Sequence, residues 1–127
     1  MIAPGLFLLI CVGGGAGAAL RFVLDGLVRA RITVPFPVAT LLINVTGSFG
    51  LGLLTGLGAA AGLPHEWVLV LGGGVMGGYT TFSTASVETA RLVEQRRWGA
   101  ALANGVGMLV LAVAAAALGL AVTGALG

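Results

Sequence analysis

The chain has 127 residues, of which 58% are hydrophobic and 8% charged, and its mean hydropathy is +1.12. That balance excludes an ordinary soluble domain. Six arginines against four acids give a net charge of +2, too little for a nucleic-acid-binding surface, so no nucleic-acid partner is expected.

Apolar runs fall at Ile2–Leu20, Val38–Ala61, Trp67–Val87 and Gly99–Val122. Each approaches or exceeds the roughly 20 residues a helix needs to cross about 30 Å of hydrocarbon. The reading is an all-α membrane protein in which residues 1–127 form a single transmembrane domain of four helices. The start "MIAPGLFLL" lacks a basic n-region and a convincing cleavage site, so no signal peptide is expected. Cys11, inside the first run, reads as a packed thiol. His65 has no second His or Cys beside it and reads as a loop residue.

Short connections, "RARITVPFP", "GLPHE" and "RLVEQRRW", join the runs, and Trp67 and Trp98 open the third and fourth at the depth that suits an amphipathic ring. With four spans, the first and third connections share a side. That side carries Arg29, Arg31, Arg91, Arg96 and Arg97, which places it in the cytoplasm and both termini outside. Asp25 stands four residues after Arg21 and is read as paired or solvated. Glu88 and Glu94 are read as solvated ends. Small-xxx-small spacings at Gly13/Gly17, Ser48/Gly52/Gly56 and Gly73/Gly77 predict close helix approach, and a dimer at least.

Thr40, Asn44, Gly47 and Ser48 share one stripe of the second helix, either as a polar path or as bonds to a neighbouring helix. The stretch "GGGVMGGYTTFSTAS" (Gly72–Ser86) is the other concentration of polarity. It is not a phosphate loop, because Tyr79 stands where a lysine is required. "NVT" at Asn44–Thr46 matches a glycosylation sequon but lies inside an apolar run, out of reach of a glycan. No Ser/His/Asp, Cys/His or paired-carboxylate set appears in the spans, so the chain is not read as an enzyme. Glycines 72, 73, 74, 77 and 78 predict a break in the third helix, with Thr80, Thr81, Ser83 and Thr84 supplying hydroxyls around it. Unwound backbone at membrane depth must be buried in protein or line a wet cavity.

"GGGAGAALRF" (Gly13–Phe22), "TLLINVTGSFGLG" (Thr40–Gly52) and "GGGVMGGYTTFST" (Gly72–Thr84) together resemble the Fluc (CrcB) fluoride channels, across essentially the whole chain. The resemblance implies an antiparallel dimer in the bacterial inner membrane that lets fluoride leave the cytoplasm passively. Asn44 matches the family's pore asparagine, with Thr40 one turn earlier. Phe82 matches its first pore phenylalanine, and Ser83 and Thr81 are further pore hydroxyls. Gly77 and Thr80 match the positions whose backbone carbonyls hold a central structural sodium ion, and Arg21 matches an arginine near the end of the first helix. On this reading the glycines open the backbone for that ion. Donors without a formal charge suit a small, strongly hydrated anion that must also be released, and a phenyl edge adds to them.

Two departures accompany the resemblance. Ala85 stands where the family usually has a second pore phenylalanine, and Met108 and Ala112 stand where its fourth helix commonly has serines. With the one-sided arginines, these point to one half of a heterodimer. The alternatives are a non-conducting partner subunit and a small multidrug exporter. The exporter needs a membrane-embedded carboxylate, for which Asp25 is poorly placed.

Overall fold

The computed structural model describes residues 3–125, and among these no strand occurs. Helix α1 (Pro4–Arg31) starts on a proline at its first positions, where the missing N–H has no intrahelical partner to lose. It runs past the apolar stretch to Arg29 and Arg31 in its last turn, where cations complement the helix dipole. Helix α2 (Val38–Ala60) begins directly after Pro37.

The third apolar run is a series of pieces. Helix α3 (His65–Val68) leads into a π-helical stretch π1 (Leu69–Met76), then α4 (Gly77–Tyr79), a break at Thr80–Thr81, and α5 (Phe82–Glu94). Arg96, at φ 56°, closes α5, with the Arg97 N–H returning to Leu92 O and the Arg96 N–H to Val93 O. A final continuous run from Trp98 to Gly124 comprises α6 (Trp98–Leu102), a second π stretch π2 (Ala103–Gly107) and α7 (Met108–Gly124). Three helices among the described residues, Pro4–Arg31, Val38–Ala60 and Trp98–Gly124, are by themselves long and apolar enough to span a membrane. The third expected span is not one of them, because the break divides it.

Two seams hold the bundle. Along one, α1 lies on π1 and α4. Gly13 and Gly17 are its only buried residues among those described, and a methyl added at Gly17 would strike the Val75 carbonyl. Along the other, α2 lies on α7. A methyl at Gly52 would meet the Ala116 carbonyl, and one at Gly119 the Phe49 carbonyl. Without a water-driven force between helices in lipid, this backbone approach supplies the dispersion that holds them.

The glycines of the third segment serve the same purpose. Gly74 packs on Ile10 and Gly78 on Gly14, whereas Gly73 faces open space, so the contacting pair lies one residue beyond the expected Gly73/Gly77. All five remain helical, and the backbone opens only after them. Cys11 is exposed, not packed, and Phe7, Leu8, Val12 and Phe22 on the same helix are also exposed, a surface suited to lipid.

Candidate functional site

The break consists of two extended residues, Thr80 at φ −76°, ψ 157° and Thr81 at φ −143°, ψ 121°. An unbroken helix would send the Thr81 N–H to the Gly77 carbonyl. Instead it donates to Asn44 Oδ1 at 2.8 Å, while Asn44 Nδ2 donates to the Thr81 carbonyl, also at 2.8 Å. The side-chain amide of α2 thus takes both backbone groups of one extended residue, as a neighbouring strand would. The Thr81 hydroxyl caps α5 by accepting the Thr84 N–H at 3.2 Å, a bond that would otherwise go to the Thr80 carbonyl. Arg21 Nε donates to the Gly78 carbonyl at 3.2 Å. The Gly77 and Thr80 carbonyls are therefore both released from the helical ladder.

Two cavities border the break. The larger, about 730 Å³, is a mainly apolar groove lined by Asn44, Ser48, Thr80, Phe82, Ala85 and Met108 among others. Phe82 is 87% exposed on its rim. The smaller, about 220 Å³, has Arg21, Phe22, Asp25, Thr40, Thr81 and Thr84 in its wall. Asn44 and Thr40, expected on one path, thus face different cavities. Four residues advance a helix by about 40° and 6 Å, enough to put them on opposite sides of the Thr81 backbone. Thr81 borders both cavities. Ser83 is exposed and borders neither, its Oγ lying 3.4 Å from Thr81 Oγ1. Gly77 borders the groove beside Thr80.

The sequence reading missed Glu88. Its side chain is 13% exposed, not solvated, and it accepts from the hydroxyl of Thr40, a residue 1% exposed. The other carboxylate oxygen takes Arg29 Nη2 at 3.3 Å. Arg29 Nε also holds both oxygens of Asp25, at 2.9 and 3.0 Å. Asp25 therefore pairs with the arginine one turn after it, and Arg21 turns to the break. A usable signal was present: Thr81, Thr84 and Glu88 recur at three- and four-residue spacing, which places them along one face of α5. Asn104 is also buried, with Nδ2 donating to Thr89 Oγ1 at 2.8 Å. No group of His, Cys, Asp and Glu that could hold a metal ion occurs among the described residues. Any cation would have to bind to backbone or hydroxyl oxygen.

Residues 8–120 match the family model described as CrcB-like protein, Camphor Resistance. The chain is 56% identical over 119 residues to a protein of Leifsonia xyli subsp. xyli named fluoride-specific ion channel FluC 1, covering 94% of this chain and 87% of the relative. It is 49% identical over 106 residues to fluoride-specific ion channel FluC 2 of Mycolicibacterium paratuberculosis, covering 84% of each. It is 41% identical over 116 residues to fluoride-specific ion channel FluC of Methylobacterium nodulans, covering 91% of this chain and 93% of that one.

Proposed function

The chain belongs to the CrcB-like family, and from that premise we propose that it is a subunit of a fluoride-specific channel giving passive efflux of fluoride from the cytoplasm. It is a multi-pass membrane protein and a channel, not an enzyme. The observation that carries the reading is the clamped break, which sets hydroxyls and open peptide groups against an apolar groove. Among the groove residues named here none carries a formal charge, and an anion bound by neutral donors is held without being trapped.

The further proposals are an inner-membrane location, an antiparallel pair of subunits, and a composite fourth span made from the pieces on either side of the break. The arginines support a fixed orientation: Arg29 meets Glu88, so the arginine-bearing ends of α1 and α5 lie together. A groove open along one side supports a second chain, and the one-sided charge favours a non-identical homologue over a second copy. The donor chemistry fits a structural sodium ion, a hard cation that takes oxygen ligands, and the Gly77 and Thr80 carbonyls would hold it.

A non-conducting role for this subunit draws on Ala85, which puts no ring on the groove wall. Substitution of Asn44 does not separate the two roles, because the residue is also the clamp. The test is fluoride-electrode efflux from proteoliposomes holding this chain alone, and holding it with a second homologue from the same genome. Fluoride release well above chloride release is expected, larger with the second chain. Its absence in both would overturn the reading. Replacing sodium with N-methylglucamine is expected to lower the thermal stability of the assembly.

A further inference from the structure

Resting on the fluoride reading above, we propose that Met108 is a thioether plug: it occupies the single Asn44 proton that an anion in the groove needs, so passage along this wall requires Met108 to withdraw. A carboxamide has one acceptor oxygen and two N–H donors. In Asn44 the oxygen takes the Thr81 N–H and one donor takes the Thr81 carbonyl, each at 2.8 Å. These two bonds hold the break and are not free for a ligand. Only the second N–H remains, and Asn44 Nδ2 lies 3.2 Å from Met108 Sδ.

A thioether sulfur is a weak acceptor, and a bond from the same N–H to an anion is roughly twice as strong as a neutral one. An anion arriving at this point therefore gains by displacing the sulfur. The side chain that must move has three rotatable bonds and adapts readily to irregular space. Met108 is only 6% exposed, yet it borders the groove together with Asn44, Thr81 and Phe82. The sulfur both seals this part of the wall and keeps a half-buried N–H satisfied in the anion's absence. Residue 108 then sets whether this chain's own wall conducts.

The test uses the full chain in proteoliposomes with Met108→Ala, Met108→Ser and Met108→Leu. Alanine and serine vacate the place of the sulfur, and fluoride efflux is expected to rise about fivefold, the ratio set by the net worth of one hydrogen bond. Leucine fills the space without accepting, so efflux stays at or below the unmodified level. A second readout is independent of transport. The chain has two asparagines, Asn44 and Asn104, so asparagine-selective labelling gives two side-chain resonance pairs, assigned with an Asn104→Gln variant.

Titration with sodium fluoride, against sodium chloride, is expected to shift the Asn44 pair saturably in the alanine and serine variants, and in the unmodified chain only at about fivefold higher fluoride. An unmodified chain that responds as those variants do would overturn the plug, as would silence of the Asn44 pair in both folded variants. If no protein, alone or with the second homologue, releases fluoride above empty liposomes while the variant resonances still respond, the channel reading falls and the displaceable Asn44–Met108 contact stands.

Discussion

The two halves of the third segment, before and after Thr80–Thr81, are held by different physics. Before the break, π1 and α4 are held mainly by shape: Gly74 and Gly78 bring their backbone onto α1 closely enough to exclude a methyl group, with Arg21 on the Gly78 carbonyl and Thr46 on the Tyr79 hydroxyl as the side-chain bonds at its end. After it, α5 is held by side-chain hydrogen bonds: Thr40 to Glu88, Arg29 to Glu88, and Asn104 to Thr89. Asn44 joins the two regimes. A half held by shape tolerates no added volume where it touches α1 and carries little chemistry, whereas a half held by polar bonds can present hydroxyls to a cavity. The break marks the change from one to the other, which is why the polar groups of this apolar chain gather there.

The strongest way to break that arrangement is at the joint. Asn44→Ala leaves the Thr81 N–H and C=O unpaired inside the bundle, at about 1–3 kcal/mol each, so a loss of about 2–6 kcal/mol is expected. Thermal unfolding in detergent should show it, with fluoride release lost as well. A melt within a degree or two of the unmodified chain would mean the amide is not the clamp.

Next comes the half held by shape. Gly78→Ala drives a methyl into the Gly14 carbonyl, while Gly73→Ala meets nothing within 4 Å. Overpacking typically costs about 1–3 kcal/mol, and a backbone obstacle cannot rotate away, so Gly78→Ala belongs at or beyond the upper end. Gly73→Ala should be neutral or slightly stabilising, because it removes backbone freedom from the unfolded chain. Equal melting temperatures for the two would abolish the distinction between the glycines.

How much of this was legible in the sequence follows the same division. Three long helices could be read from the apolar runs, and two of the three small-residue spacings located their contacts. The third was misplaced by one residue, because in a run of adjacent glycines the helical period does not say which one faces the neighbour. The existence of a break was legible, but its place was not. Glycine content pointed to 72–78, whereas the opening falls on two threonines because Asn44, 37 residues away in sequence, has an amide to offer them. Glu88 was lost for a related reason: a carboxylate near the end of an apolar run looks solvated until the buried hydroxyl of Thr40 is brought against it.

The half held by polar bonds can be graded within itself. Thr40→Val keeps shape at a site 1% exposed but removes the donor to Glu88, and hydrogen bonds to charged groups are worth about 1.5–3 kcal/mol. The Thr40→Ser variant, which restores the hydroxyl, should recover most of that loss.

The smallest effect belongs to Arg29→Gln. Its side chain is 50% exposed, its contacts to Asp25 and Glu88 are open to water or headgroups, and pairs of this kind typically contribute about 0–1 kcal/mol. Glu88 keeps Thr40 when Arg29 is removed, and Asp25, whose side chain is 35% exposed, is left to water or headgroups. The melt should shift little, and less at high salt, where the pair is already screened. A loss as large as that of Thr40→Val would instead assign the anchoring of α5 to the ion pair, and would move the boundary between the two halves from the buried hydroxyl out to the rim.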